Sequence, residues 1–170
     1  MKQLAPQLII IRGPVGAGKT SVVEEIRRQA EHVSLVDFDV FKRQIDNSHS
    51  SDWRREMALK TALFMTQQLM AKNRVIAVDI HASRIDQLNA YISLAKENNY
   101  TITSFLLYPP LDTCLQRARE RDVPDINYPI DDAMVTSYWN ETIFINNEKI
   151  FDNPSLSPQE ITREILMQLH

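Results

Sequence analysis

Glycine is almost missing from this chain of 170 residues: Gly13, Gly16 and Gly18 are the only three, and all lie between positions 13 and 18. A sequence that does without glycine elsewhere has concentrated it where the backbone must curl tightly. Cysteine is scarcer still. A single residue, Cys114, excludes an internal disulfide and suits a reducing compartment. No apolar run approaches the roughly 18 residues that span a bilayer, and the N-terminal run is too short for a signal peptide, so the reading is of a cytoplasmic protein without a membrane partner. Positive charge is not in excess either. The formal net charge of -3 leaves no electrostatic footprint for duplex nucleic acid. With 44% hydrophobic residues and no repeat or linker, the chain reads as one domain able to bury a continuous core.

What is present is Gly-Pro-Val-Gly-Ala-Gly-Lys-Thr at residues 13–20, which fits G-x-x-x-x-G-K-[ST]. The apolar run Leu8, Ile9, Ile10, Ile11 before it reads as a buried strand. Val22, Val23, Ile26 and Ala30 after it recur at helical spacing. In a strand, loop and helix of this kind, the loop amides and the helix N-terminus cradle phosphates. The loop residues Gly13, Pro14, Val15, Gly16, Ala17 and Gly18, with Lys19, Thr20 and Ser21, are therefore assigned to the nucleotide. Lys19 reaches the β and γ oxygens and the Thr20 hydroxyl ligates Mg²⁺. The implied cofactors are ATP and Mg²⁺.

Further along, Val33, Ser34, Leu35 and Val36 form a second strand ending in Asp37 and Asp39, followed by a polar stretch over 42–52 that reads as a flap. A long helix over 53–71 is capped by Ser51 or Asp52 and carries Ala58, Ala62, Met65 and Leu69 on its apolar face. Asn73 stands where a glycine would close it. Val75 to Val78 make a third apolar run, closed by Asp79. Ser83 then opens a helix with Asp86 three residues on, whose Ile85, Leu88, Ile92 and Ala95 face the core. Residues 101–107 form a fourth strand and Pro109-Pro110 turns into a helix bearing Arg117, Arg119 and Arg121. Asp131 starts another helix, Ile150-Phe151 is a short strand, and Ser157-Pro158-Gln159-Glu160 is a capping box. Strands that are continuous apolar runs, alternating with helices, predict an α/β chain with a parallel sheet covered on both faces. Ligands belong at the carboxyl ends of its strands.

That edge gathers the candidate chemistry. A hydroxyl acceptor must lose its proton when phosphorylated, so a carboxylate such as Asp39 orients the oxygen and takes the proton late. The bland alternative is that Asp39 only caps the turn after it. Asp37 and Asp79 sit where acids can hold magnesium, Asp79 as the strand-end acid. His81 and Arg84 follow on the loop and are candidates for touching the acceptor. Arg117 and Arg121 lie one helical turn apart, and arginines closing over ATP would neutralise charge on the transferring group. The alternative for them is a solvated face.

These residues resemble the small P-loop kinases: shikimate and gluconate kinases, chloramphenicol phosphotransferase and the zeta-toxin kinases, with adenylate kinase more distant. The resemblance implies a P-loop NTPase fold, a three-layer αβα arrangement with a five-stranded parallel sheet of order 2-3-1-4-5, and a lid near 117–130. Asp37-Phe38-Asp39-Val40-Phe41-Lys42 resembles the family's Asp-x-Asp segment. It implies the base or acceptor ligand at Asp39 and magnesium support at Asp37. Arg117-x-x-x-Arg121 with Asp122-Val123-Pro124 resembles the lid, implying contacts to adenine and phosphates. Phe151-Asp152-Asn153-Pro154-Ser155 resembles the turn whose backbone edges the adenine, which assigns Asn153 and Pro154 to the nucleotide. Lid and third-strand glycines common in these families are missing.

The leading expectation is an ATP-dependent kinase acting on a hydroxyl of a small molecule, with Asp39, Lys19 and Arg121 catalytic. Asp39, Lys42, Arg43, His81 and Arg84 would bind the acceptor. A nucleoside monophosphate kinase is the rival; it would grip an acceptor phosphate with Arg43, Arg54, Arg55 or Arg84 and would need no base. A nucleotide-binding switch without turnover is the third reading. A Ras-like GTPase is excluded, because a D-x-x-G switch cannot exist without a glycine after Gly18 and no N-K-x-D is present. The acceptor's identity and the oligomeric state are not legible.

Overall fold

The computed structural model describes residues 5–30, 32–45, 51–120 and 130–169. Its element order is β1 (Gln7–Gly13), α1 (Lys19–Gln29), β2 (Val33–Val36), α2 (Phe38–Ile45), α3 (Asp52–Met70), β3 (Val75–His81), α4 (Ile85–Glu97), β4 (Thr101–Leu107), α5 (Leu111–Arg119), α6 (Asp132–Asn140), β5 (Lys149–Phe151) and α7 (Pro158–Met167). The five strands form one sheet in the order β2-β3-β1-β4-β5, every pair parallel, as the resemblance implies.

Alternation along β1 builds both layers of the core. Ile9 and Ile11 pack with Val22 and Ile26 of α1 and Ile161 and Ile165 of α7. Leu8 and Ile10 point the other way, onto Ala62 and Met70 of α3 and Leu88, Tyr91 and Ala95 of α4. A strand buried on both faces has to be apolar at successive positions, which is why it reads as a run rather than an alternation. Each of its fully buried isoleucines is worth about 1.5–3 kcal/mol of transfer free energy.

Local signals set several boundaries. Asn73 and Asn99 close α3 and α4 with φ of 53° and 56°, the left-handed conformation that asparagine tolerates best after glycine. Ser157 and Glu160 make the reciprocal bonds of the capping box, with Ser157 N donating to Glu160 Oε2 at 2.8 Å. Asp131 Oδ1 accepts from Met134 N at 2.8 Å and caps α6.

Elsewhere the packing differs from the expectation. The buried face of α3 is Arg54, Ala58, Ala62, Thr66 and Met70, whereas Met65 is 38% exposed. Thr66 can sit inside because its hydroxyl donates back to Ala62 O at 2.8 Å. On α4, Ile85 is 38% exposed and Tyr91 takes the core position. Ser83 does not cap that helix; its hydroxyl is bonded to His81 Nδ1 and Arg84 occupies the cap position. Ser51 stands at the cap of α3 without a side-chain cap bond. The expected flap begins as helix α2, and residues 46–50 lie outside the described residues. Among the described residues, no helix is long and apolar enough to cross a membrane.

Candidate functional site

The glycines occupy the positions where the backbone requires them. Gly16 has φ of 78°, and a Cβ there would lie 2.3 Å from the carbonyl oxygen of Cys114 on α5. Gly18 has φ of 94° and is the residue from which α1 starts, so this helix begins with no side-chain cap and no acid in its first turn. Its N-terminal N–H groups have no intrahelical acceptor by construction, and the positive end of the helix is left for an anion. A Cβ on Gly13 would meet Leu107 O at 2.7 Å, which places the loop directly against the end of β4.

Lys19, the first residue of α1, donates to Pro14 O at 3.0 Å and so lies back over its own loop. Thr20 and Ser21 follow it on the exposed side of the first turn. Arg117 reaches across from α5: Nη1 donates to Ala17 O at 3.4 Å and Nη2 to Pro154 O at 3.3 Å. One guanidinium thus bridges the phosphate loop and the turn at Asn153 and Pro154. That turn is held by Asn153 Oδ1, which accepts from Ser155 N at 3.0 Å. Arg121 lies outside the described residues, as does most of the expected lid, residues 121–129. Residues on either side are joined by Arg119 and Asp132, with Arg119 Nε 3.0 Å from Asp132 Oδ1.

The carboxylates come together through strand register. Val36 pairs with Val78, so Asp37 follows β2 beside Asp79; Ile11 pairs with Asp79 and Gly13 with His81, so the loop begins next door on β1. Asp37 Oδ1 accepts from Asp39 N at 2.8 Å and Val40 N at 3.1 Å, so Asp37 rather than Asp39 is the cap of α2. The strand does not extend through the acids as expected: Asp39 stands in the first turn of α2, 62% exposed at its side chain, with Lys42 Nζ 3.5 Å away. Arg43 is exposed on the same helix.

Burial lifts the Asp79 carboxyl from 3.8 to about 6, against the pull of Lys19 and with a further push from Asp37 and Asp39. Three carboxylates thus lie at this end of the sheet with Lys19 acting on Asp79 and Lys42 beside Asp39, a setting that suits a divalent ion. Among the described residues no three acids or histidines converge as a closed metal cage. A hydrated Mg²⁺, bound through few protein oxygens, fits that arrangement. Thr20, Asp37 and Asp79 would hold it.

His81 is shielded from water and driven down to about 3, first by burial and then by Lys19 and Arg84, with Asp39 pulling the other way. The imidazole is therefore neutral at physiological pH. Ser83 N donates to Nδ1 at 3.4 Å, which puts the ring proton on Nε2. The ring edge meets Tyr138 of α6, with centroids 4.5 Å apart. Arg84 is partly buried at the start of α4.

Two contributors escape the sequence reading. Tyr91, deep beneath the acids, is raised by burial first and then by Asp79. Arg12, the penultimate residue of β1, is fully buried, and its sequence signal is that of a lone arginine closing an apolar strand.

A family model described as an AAA domain, AAA_33, matches residues 8–135. No curated protein matches significantly by sequence. Among solved structures the chain is similar to the tunicamycin resistance protein of Deinococcus radiodurans, with a TM-score of 0.70, 21% identity, and 95% of this chain and 94% of that one covered. It is similar to the APS kinase of Mycobacterium tuberculosis in complex with AMPPNP and APS, with a TM-score of 0.71, 15% identity, and 97% and 98% covered. A gluconokinase from Sinorhizobium meliloti 1021 gives a TM-score of 0.65 at 16% identity, with 97% and 92% covered. The chain therefore belongs to the AAA domain family AAA_33, and its fold is that of the small P-loop kinases.

Proposed function

We propose that this protein is an ATP-dependent phosphotransferase that moves the γ-phosphoryl group to a hydroxyl of a small molecule. The observation that carries the reading is the convergence, at one end of the sheet, of the glycine loop with Lys19 and the acids Asp37, Asp39 and Asp79. A P-loop fold shared with a kinase seen in complex with AMPPNP supports a nucleotide on the loop side.

In this reading Thr20, Asp37 and Asp79 would hold Mg²⁺, which would supply charge neutralisation for the phosphate oxygens. Lys19 and the loop amides hold the β and γ phosphates, and Arg117 spans loop and adenine turn. The acceptor oxygen forms its bond to the γ phosphorus as the bond from that phosphorus to the bridging oxygen breaks, and ADP departs. Asp39, steered by Lys42, orients the hydroxyl, takes its proton late and returns it to solvent. His81, neutral and with its proton on Nε2, and Arg84 line the acceptor side.

The rival nucleoside monophosphate kinase is less well supported. Of the arginines it would recruit, Arg54 is buried and donates to Lys42 O at 2.7 Å, and Arg55 is paired with Asp52. Substitution Asp39→Asn separates the two. With ADP release followed over a panel of sugars, sugar acids, nucleosides and nucleoside monophosphates, alcohol-dependent turnover should fall by at least about 100-fold, in the range of lost general-base catalysis. Turnover with a monophosphate that survives the substitution would overturn the reading.

A further inference from the structure

The guanidinium of Arg12 makes contacts with three separate parts of the chain. Nη1 donates to Glu148 Oε2 at 2.8 Å, and both side chains are 1% exposed. Nη2 donates to Ala82 O and to Ile143 O, each at 2.7 Å. The other oxygen of Glu148 accepts from Ser104 Oγ at 2.7 Å. Backbone bonds complete the stitch: Ala82 N donates to Gly13 O at 3.2 Å and Ile143 N to Ala82 O at 3.3 Å. The first glycine of the loop, the turn that carries His81 and Arg84, and the segment that leaves α6 are therefore fastened at one point.

Burying an ion pair costs more desolvation than its attraction commonly returns, so an apolar pair would serve stability equally well or better. What an apolar pair cannot do is bond two carbonyls and a carboxylate at fixed angles; the planar fork of arginine can. Arg12 Nε, moreover, is buried without a hydrogen-bond partner among the described residues, so the side chain is placed for its fork at some cost. Tyr138 and Trp139 lie near the end of α6, against His81 and Tyr108. Displacement of the Ile143 segment would carry these rings away from the acceptor side.

We propose that Arg12 is a positioning residue for the acceptor half of the site, holding the His81–Arg84 turn and the segment behind α6 in register with the phosphate loop. This rests on the phosphotransferase reading above for its consequence in turnover, and on the hydrogen bonds alone for its consequence in structure.

The test replaces the whole polar cluster at once, Arg12→Met with Ser104→Ala and Glu148→Leu, so that no charge is left buried alone. This variant should melt within a few degrees of the wild type. Amide exchange at Ala82 and Ile143 should nevertheless quicken by at least tenfold, with Ile10 and Ile11 unchanged. With the best acceptor from the panel, its KM should rise about tenfold while the affinity for Mg·AMPPNP changes less than threefold. A folded variant that keeps wild-type exchange at Ala82 and Ile143, or a wild-type acceptor KM, would overturn the proposal. Should the variant not fold, Arg12→Lys serves: a single ammonium holds the charge but not the fork, and the same exchange and KM changes are expected. If the wild type turns over no acceptor, the phosphotransferase reading fails and exchange at Ala82 and Ile143 decides the role of Arg12 by itself.

Discussion

The phosphate loop and the acid edge of β2 and β3 meet at one end of the sheet, yet they are built by different means. The loop's shape resides in the backbone: φ of 78° and 94° at Gly16 and Gly18, and a carbonyl of α5 where a Cβ would stand. The acid edge depends on side chains brought together by strand register and tuned by burial, Asp37 beside Asp79 and His81 beside Gly13. A site made of backbone tolerates few substitutions at its glycines, and its failure is all or none. A site made of register and burial can lose one group at a time, so its failures should be graded and dependent on pH.

The largest expected effect tests the first half of that contrast. Gly16→Ala places a methyl group 2.3 Å from Cys114 O at a positive φ, so the loop must open. Calorimetry should detect no binding of Mg·AMPPNP, a loss of at least about 100-fold on the scale of two or more lost phosphate contacts. Near-normal binding would show that the loop is not set by its glycines.

Asp79 provides the graded counterpart. In the unfolded chain its carboxyl titrates near 3.8, in the folded protein near 6, so between those values the native state binds a proton that the unfolded state gives up. This group's contribution to stability therefore falls as pH rises from about 4 through about 6 and stays low above. Asp79→Asn removes the dependence. Without metal or nucleotide, the variant should melt higher than the wild type at pH 8 and match it at pH 4, as scanning fluorimetry across pH would report. A variant that melts lower at pH 8 would contradict the buried, under-compensated carboxylate.

Smaller effects sharpen the boundary between the halves. Arg117→Met removes two bonds to carbonyls, at Ala17 and Pro154, and leaves the loop glycines intact. Affinity for Mg·AMPPNP should drop about tenfold, the value of one charge-assisted contact. Arg119→Ala breaks an exposed pair with Asp132 and should shift the melting temperature by less than about 2 °C.

The same contrast explains what was legible. Residues 13–20, the strand at Thr101–Leu107 and the capping box at Ser157 carry their instructions within a few neighbouring residues, so motif, run and cap could be read directly. The Asp-x-Asp segment stands out in the sequence, but its geometry does not. Capping by Asp37 follows from which carboxylate meets the free amides of α2, a matter of dihedral angles. On α3 the apolar pattern points to Met65, but the polar Thr66 satisfies its own hydroxyl and takes the inward position instead. The role of Arg12 has no such local signature: its partners are separated from it by 136, 70 and 131 positions, and no local pattern announces them.

The most direct measurement is phosphorus NMR of Mg·ATP with the acceptor panel, comparing the wild type with Asp39→Asn. The account requires a new phosphomonoester resonance, growing as the ATP γ signal decays, with the wild type and not with the variant. Conversion of ATP to ADP and free phosphate alone, indifferent to acceptor and to Asp39, would contradict it.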